Sequence, residues 1–142
     1  MVPRALNDAD YERLLAFRIG LRRFLRWSEE QAARAGLTPA QHQLLLAVRG
    51  SRDPRGPTVG DVAAALLLRH HSAVELIDRA ETAGFVIRRS DRDDQRVVRL
   101  VLTAEGARSL ERLTSLHLDE ITRLGASFGA LTAGLDAPEV DA

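Results

Sequence analysis

From Thr58 to Thr103 the chain runs through two short amphipathic helical patterns, a glycine break and two apolar strand patterns separated by a charged tip. That order constrains the fold more than any other feature, because a helix pair followed by a hairpin describes a small reader of duplex DNA rather than an enzyme. Thr58 is read as the cap of the first helix, with Asp61 three residues on as its reciprocal partner. Val59, Val62, Ala63, Leu66 and Leu67 mark its apolar face. Ser72 and Glu75 fit a capping box opening a second helix, whose buried stripe is Ala73, Leu76, Ile77 and Ala80 and which stops near Gly84. Its other face carries Glu75, Asp78, Arg79 and Thr82. Leu68-Arg69-His70-His71 leaves room only for a tight turn, so the two helices are expected to cross closely as a helix-turn-helix.

The period then changes. Phe85-Val86-Ile87-Arg88 and the run from Arg96 to Leu102 are rich in β-branched residues, with Val98, Leu100 and Leu102 on one face and Val97, Arg99 and Val101 on the other. Both faces are largely apolar, so at least one strand is expected to be well buried. The connection holds Arg88, Arg89, Arg92 and Arg96, planar donors suited to phosphates or a minor groove. Asp91, Asp93 and Asp94 cancel part of that field, and their expected work is to pair with the arginines and hold the loop's shape. A merely solvated hairpin tip is the competing reading.

These stretches resemble the MarR family of winged helix-turn-helix transcriptional regulators. The matching residues are Leu37-Thr38-Pro39-Ala40-Gln41 opening a helix, Thr58 to Leu68, Ser72 to Gly84 with Asp78, Arg79 and Glu81, and Phe85 to Gly106. The wing is the most specific part: Asp91, Asp94 and Arg96 fall in an Asp-x-x-Asp-x-Arg pattern, followed by Val97 to Thr103 and then Glu105-Gly106. The resemblance implies a homodimer that sets a recognition helix from each subunit in the major groove, and a wing in the minor groove, of a pseudo-palindromic operator. Carried onto this chain, it puts the base-reading helix at Ser72, with His70 and His71 at its entrance. Arg96 becomes the wing arginine, with Asp91 and Asp94 as its acidic companions. Glu75 departs from the basic or small polar residues common on that helix; it either caps the helix, the preferred reading, or accepts from a cytosine amino group.

With 142 residues and 45% hydrophobic composition, the chain can bury one modest core or form a subunit completed by a partner. A single subunit over 1–142 is expected, with a winged helix-turn-helix core at 37–106 flanked by dimerisation helices at 7–34 and 104–135. The fold class is mainly α with a small β-hairpin wing. Twenty basic and twenty acidic residues give no net charge, which argues against an indiscriminate nucleic-acid coat but not against a specific binder. Every basic residue is arginine, which suits bidentate contacts, although a genome-wide composition bias would give the same result. The absence of cysteine excludes disulfides, thiolate metal sites and cysteine-based oxidant sensing. The first residues contain no hydrophobic export segment and no later run reaches spanning length, so a cytoplasmic protein with no membrane partner is expected.

The outer segments supply the dimer expectation. A long helix from Ala9 to Arg34 carries Leu14, Phe17, Leu21 and Phe24 as a stripe. Thr38, Pro39 and Gln41 start another helix through Leu44, Leu45 and Val48, and residues 51–57 form an exposed connector. From Thr103 a further helix places Ala107, Leu110, Leu113, His117, Ile121, Leu124 and Phe128 at helical spacing, with Leu116, Leu118 and Leu131 beside them. Gly125, Gly129 and Gly134 weaken that helix, and the tail from Asp136 to Ala142 reads as frayed. Pairing the terminal helices across a two-fold axis would cover their apolar surface and match an operator's symmetry.

An enzyme is not expected, and neither is a cofactor. His42, His70, His71 and His117 form no recognised metal spacing; a metal site using His70 and His71 is the minor alternative to a turn or DNA-facing role. Ser72 has no adjacent base and is explained as a cap. Trp27, with Arg23, is a candidate for lining a cavity that takes a small aromatic or anionic effector, against ordinary packing of the tryptophan. The function expected is sequence-specific double-stranded DNA binding by a ligand-responsive repressor. The alternative is a winged-helix protein-interaction scaffold without specific DNA binding.

Overall fold

A computed structural model describes residues 3–132. The side chain of Leu131, Gly134, the end of the expected helix to 135 and the tail from Asp136 lie outside the described residues. Helix α1 spans Asp8–Arg34, α2 Pro39–Arg49, α3 Val59–Ala65 and α4 His70–Thr82; strands β1 (Val86–Ser90) and β2 (Val98–Leu102) follow, and α5 spans Ala104–Thr132. The mainly helical fold with one hairpin is the one expected.

Three helix starts follow the sequence directly. Thr38 with Gln41, and Thr58 with Asp61, form reciprocal capping boxes, and Asn7 with Asp10 forms a third at α1. At α5, Thr103 accepts from the Gly106 amide at 3.0 Å and donates to the Gly84 carbonyl at 2.6 Å, tying the helix start to the turn before the wing. Leu44, Leu45, Val62, Ile77, Val86, Leu100 and Leu113 are fully buried, so every element after α1 sends a side chain into one core.

The start of α4 differs from expectation. It begins at His70, with extended Arg69 in the capping position and no side-chain cap, so Ser72 is the third helical residue and neither Ser72 nor Glu75 caps anything. The cause lies upstream. Leu67 adopts φ 55°, the Leu68 amide bonds back to the Ala63 carbonyl at 2.8 Å, and α3 closes abruptly enough for the next helix to begin two residues early. Burial of Ala73, Ile77 and Ala80 then fixes the rotation of α4. Leu67, expected on the apolar face of α3, is instead 93% exposed.

The wing also contains more than its hairpin. Val86 lies opposite Leu102 and Ser90 opposite Val98 in the antiparallel pair, while the other edge of β2 is covered by the loop before α3: the Leu100 amide donates to the Pro57 carbonyl at 2.9 Å and Thr58 bridges Arg99. Gly56 makes the approach possible, since at φ 90° an added Cβ would lie 2.3 Å from the Leu100 carbonyl oxygen. The connector at 51–57 is therefore a strut, with Pro57 buried, rather than a free loop.

A leucine in left-handed backbone costs ~1–2 kcal/mol relative to its ordinary conformation, partly offset in glycine by chain entropy. Leu67→Gly is expected to raise stability by about 1 kcal/mol, read as a higher urea midpoint at unchanged slope. A lower midpoint would show that the exposed leucine makes a contact that outweighs its backbone cost.

Candidate nucleic-acid interface

Because Ala73, Ile77 and Ala80 turn inward, the opposite face of α4 presents His70, His71, Glu75, Asp78 and Arg79 to solvent, with Ser72 half-buried among them. His70, His71, Glu75 and Arg79 make no side-chain hydrogen bond or ion pair among the described residues and are available to a partner. Freed from the capping role, Glu75 presents a carboxylate acceptor. Arg88 is differently placed: it points back along α4, donating to Asp78 at 2.5 Å and to Glu81 at 2.8 Å. It clamps β1 to the helix, and its guanidinium is occupied.

The wing is organised around Asp91, whose side chain is only 4% exposed. Its carboxylate accepts from the amides of Asp93 (3.1 Å) and Asp94 (3.2 Å), from Arg99 at 3.1 Å and from Arg55 at 3.4 Å. Burial pushes its pKa up, but the two amides and the arginines outweigh burial and hold it below the ordinary aspartate value. Arg99 also donates to Asp53 at 3.2 Å and to the Gly56 carbonyl at 3.2 Å, so one guanidinium joins the wing to the strut. Arg55 pairs with Asp53, and that hydrogen bond lowers the Asp53 pKa. Asp94 grips Arg96 through Nε at 3.0 Å and Nη2 at 3.2 Å, which holds the carboxyl low, yet the Arg96 side chain is 91% exposed and aims outward. Arg89 and Arg92 are exposed and unpaired among the described residues.

Sequence reading placed Asp91 and Asp94 in support of the wing but missed Asp53, Arg55 and Arg99. The available signal was Arg99 itself, a charged residue inside an apolar strand that demanded a buried partner. Nothing local indicated that the partner came from 46 residues earlier.

The candidate effector residues lie elsewhere. Trp27 packs at 4.9 Å on His117 of α5 and stacks with Phe24, where α1, α2 and α5 meet; Arg23 is exposed nearby in sequence, without a side-chain partner. His117 donates from Nδ1 to the Leu113 carbonyl at 2.7 Å and meets the Ser28 hydroxyl at 2.6 Å through Nε2. His42 of α2 is buried with its ring 4.8 Å from that of His117. Burial first, and His117 second, lower its pKa from the ordinary 6.5. Among the described residues no group of three or more His, Asp or Glu side chains is arranged to hold a metal ion, and no helix is long and apolar enough to cross a membrane.

A closely joined helix pair followed by a hairpin whose tip carries outward arginines defines a winged helix-turn-helix protein. Residues 35–97 match the model of the MarR family. Solved structures of similar fold include AbsC, a MarR family transcriptional regulator from Streptomyces coelicolor (22% identity, covering 89% of this chain and 84% of that one, TM-score 0.72). Another MarR family transcription regulator is 25% identical, covering 87% and 77%, with TM-score 0.69. MepR of Staphylococcus aureus, solved in complex with DNA, is 21% identical over 78% of each chain, with TM-score 0.66. No curated protein matches the sequence.

Two outcomes are expected. Asp91→Asn should accelerate hydrogen exchange at the wing amides of Asp91 and Val97 while leaving α2 unchanged; uniform acceleration would mean that Asp91 supports the whole fold instead. Because the Asp91 pKa is depressed on folding, its stabilising effect is full above the unfolded value of 3.8 and is lost as pH falls through the lower folded one. For His42 the depressed histidine pKa means that the unfolded chain takes up its proton first. Thermal stability should therefore fall as pH drops below 6.5, and His42→Gln should flatten that slope. An identical slope in the variant would remove His42 from the account.

Proposed function

We propose that the chain is a sequence-specific double-stranded DNA-binding transcriptional regulator that works as a homodimer on a pseudo-palindromic operator. The observation that carries this reading is the juxtaposition of His70, His71, Glu75 and Arg79 of α4, without side-chain partners among the described residues, with a braced wing whose Arg89, Arg92 and Arg96 point outward. The DNA complex of MepR, a protein of the same fold, supports it. In this reading His70, His71, Ser72, Glu75 and Arg79 face base edges and the adjoining backbone. With no cap to make, Glu75 is an acceptor for a cytosine amino group. Arg88 belongs to the interface through its hold on β1, while Asp91 and Asp94 keep the wing in shape.

The dimer reading rests on apolar surface that one chain leaves uncovered. Leu14, Leu15, Leu25, Leu116, Leu118 and Ile121 are all exposed on α1 and α5, too much apolar surface on two long helices for a solitary subunit. Repression relieved by a small aromatic or anionic effector is the regulatory part of the proposal, with Trp27 and Arg23 as its contacts. Support comes from the position of Trp27 against α5, at the meeting of the long helices and the reading domain. A coupling of roughly 1–3 kcal/mol between effector and operator would suffice. We place the protein in the cytoplasm, without enzymatic activity. The alternative is a protein-interaction scaffold, favoured by zero net charge and the acidic groups on α4.

Selection from a random duplex library tests the reading: a palindromic consensus is the expected result, and no enrichment at low salt would put the scaffold ahead. On a selected operator, Arg96→Ala should weaken binding and reduce the slope of log affinity against log salt by ~1, with the consensus preserved. An unchanged salt slope would assign Arg96 to wing geometry alone. Light scattering should find a dimer at micromolar concentration, and a monomer throughout would refute the two-half-site arrangement.

A further inference from the structure

An open groove of about 740 Å³, with no α4 residue in its lining, runs between the strut, the wing and the ends of α2 and α5. Five arginines line it, Arg49, Arg55, Arg89, Arg92 and Arg99, against two aspartates, Asp53 and Asp91. Both acids are committed: Asp91 to Arg99, Arg55 and two backbone amides, Asp53 to Arg55 and Arg99. Arg49, at the end of α2, and Arg89 and Arg92, on the wing, are left without a compensating acid among the described residues.

Strand register sharpens the point. Arg89 lies directly opposite Arg99 in the hairpin, and like charges facing each other across strands are unfavourable unless something neutralises them. Arg99 has its aspartates; Arg89 has no counterpart among the described residues. Between the cations the wall is apolar, formed by Val48, Pro54, Val101, Leu102 and Ala107. A concave, partly apolar surface with a few convergent charged donors is the usual form of a small-molecule site. Planar guanidinium groups match carboxylate and phosphate oxygens in particular.

We propose that this groove is a binding site for a small anion with an apolar body, a carboxylate or a phosphate ester, held by Arg49, Arg89 and Arg92 over the apolar wall. It is separate from the Trp27 junction and shares only its wing arginines with the proposed duplex contact. Occupancy can therefore be measured without DNA, and the result does not depend on whether the operator reading stands.

Calorimetry on the full chain with 1-naphthoate, 1-naphthyl phosphate and uncharged 1-naphthylmethanol tests it. At least one of the two anions should bind, and the tighter one identifies the head group. Affinity should fall at least tenfold in Arg49→Ala, a substitution of an exposed side chain outside the proposed DNA surface, and in Arg89→Ala on the wing, while Arg112→Ala, at an exposed position of α5 outside the groove, leaves it unchanged. Three results would overturn the site: neither anion binds, the alcohol binds as tightly as the anions, or binding survives both Arg49→Ala and Arg89→Ala.

Discussion

The ion network of Asp91, Arg99, Asp53 and Arg55 decides where the wing stands. A two-stranded hairpin is marginal by itself in water, and this one projects from a small core that reaches only to Val86 and Leu100. The network supplies the missing constraint by joining the wing base to the strut before α3, while the bond from the Leu100 amide to the Pro57 carbonyl and the Thr58–Arg99 bridge hold the strut against β2. Replacing a sheltered ion pair by apolar residues often costs nothing, whereas removing one partner leaves the other uncompensated. Its contribution is therefore geometry: it holds the outward arginines at a fixed angle to α4.

The same logic separates the arginines of the wing into two groups. Arg88 and Arg99 are turned inward and partnered, and they set the orientation of β1 and β2. Arg89 and Arg92 have no partner among the described residues, and Arg96 is steered by Asp94 while remaining almost wholly exposed. A chain with no net charge thus still presents a positive edge, because most acids around the wing are matched to the arginines that build it, and of those that project only Arg96 is paired among the described residues. At the other end of the core, His42 and His117 put two titratable rings in contact where α2 meets α5, so the reading helices and the long terminal helices share one packed junction.

Much of this was legible in the residues. The caps at Thr38 and Thr58, the stop at Gly84, the hairpin and the long helices all follow from local chemistry, and the Asp-x-x-Asp-x-Arg pattern marked Asp91 and Asp94 as wing supports. The start of α4 was misread because Ser72 and Glu75 form a good capping pattern that the left-handed turn at Leu67 overrides. The strut was misread because Ser51 to Pro57 has the composition of a loop. Its pairing with β2 depends on Gly56 fitting against the Leu100 carbonyl, a contact with no signature in either segment alone.

Sequence by itself determined the element order, the apolar faces and the class of surface, since capping, period and turn chemistry act over a few residues and are written in them. Tertiary structure alone decided which arginines are free. That choice depends on partners 10 to 46 residues away, Asp78 for Arg88 and Asp53 for Arg99, brought within hydrogen-bonding distance only when β2 is clasped between β1 and the strut.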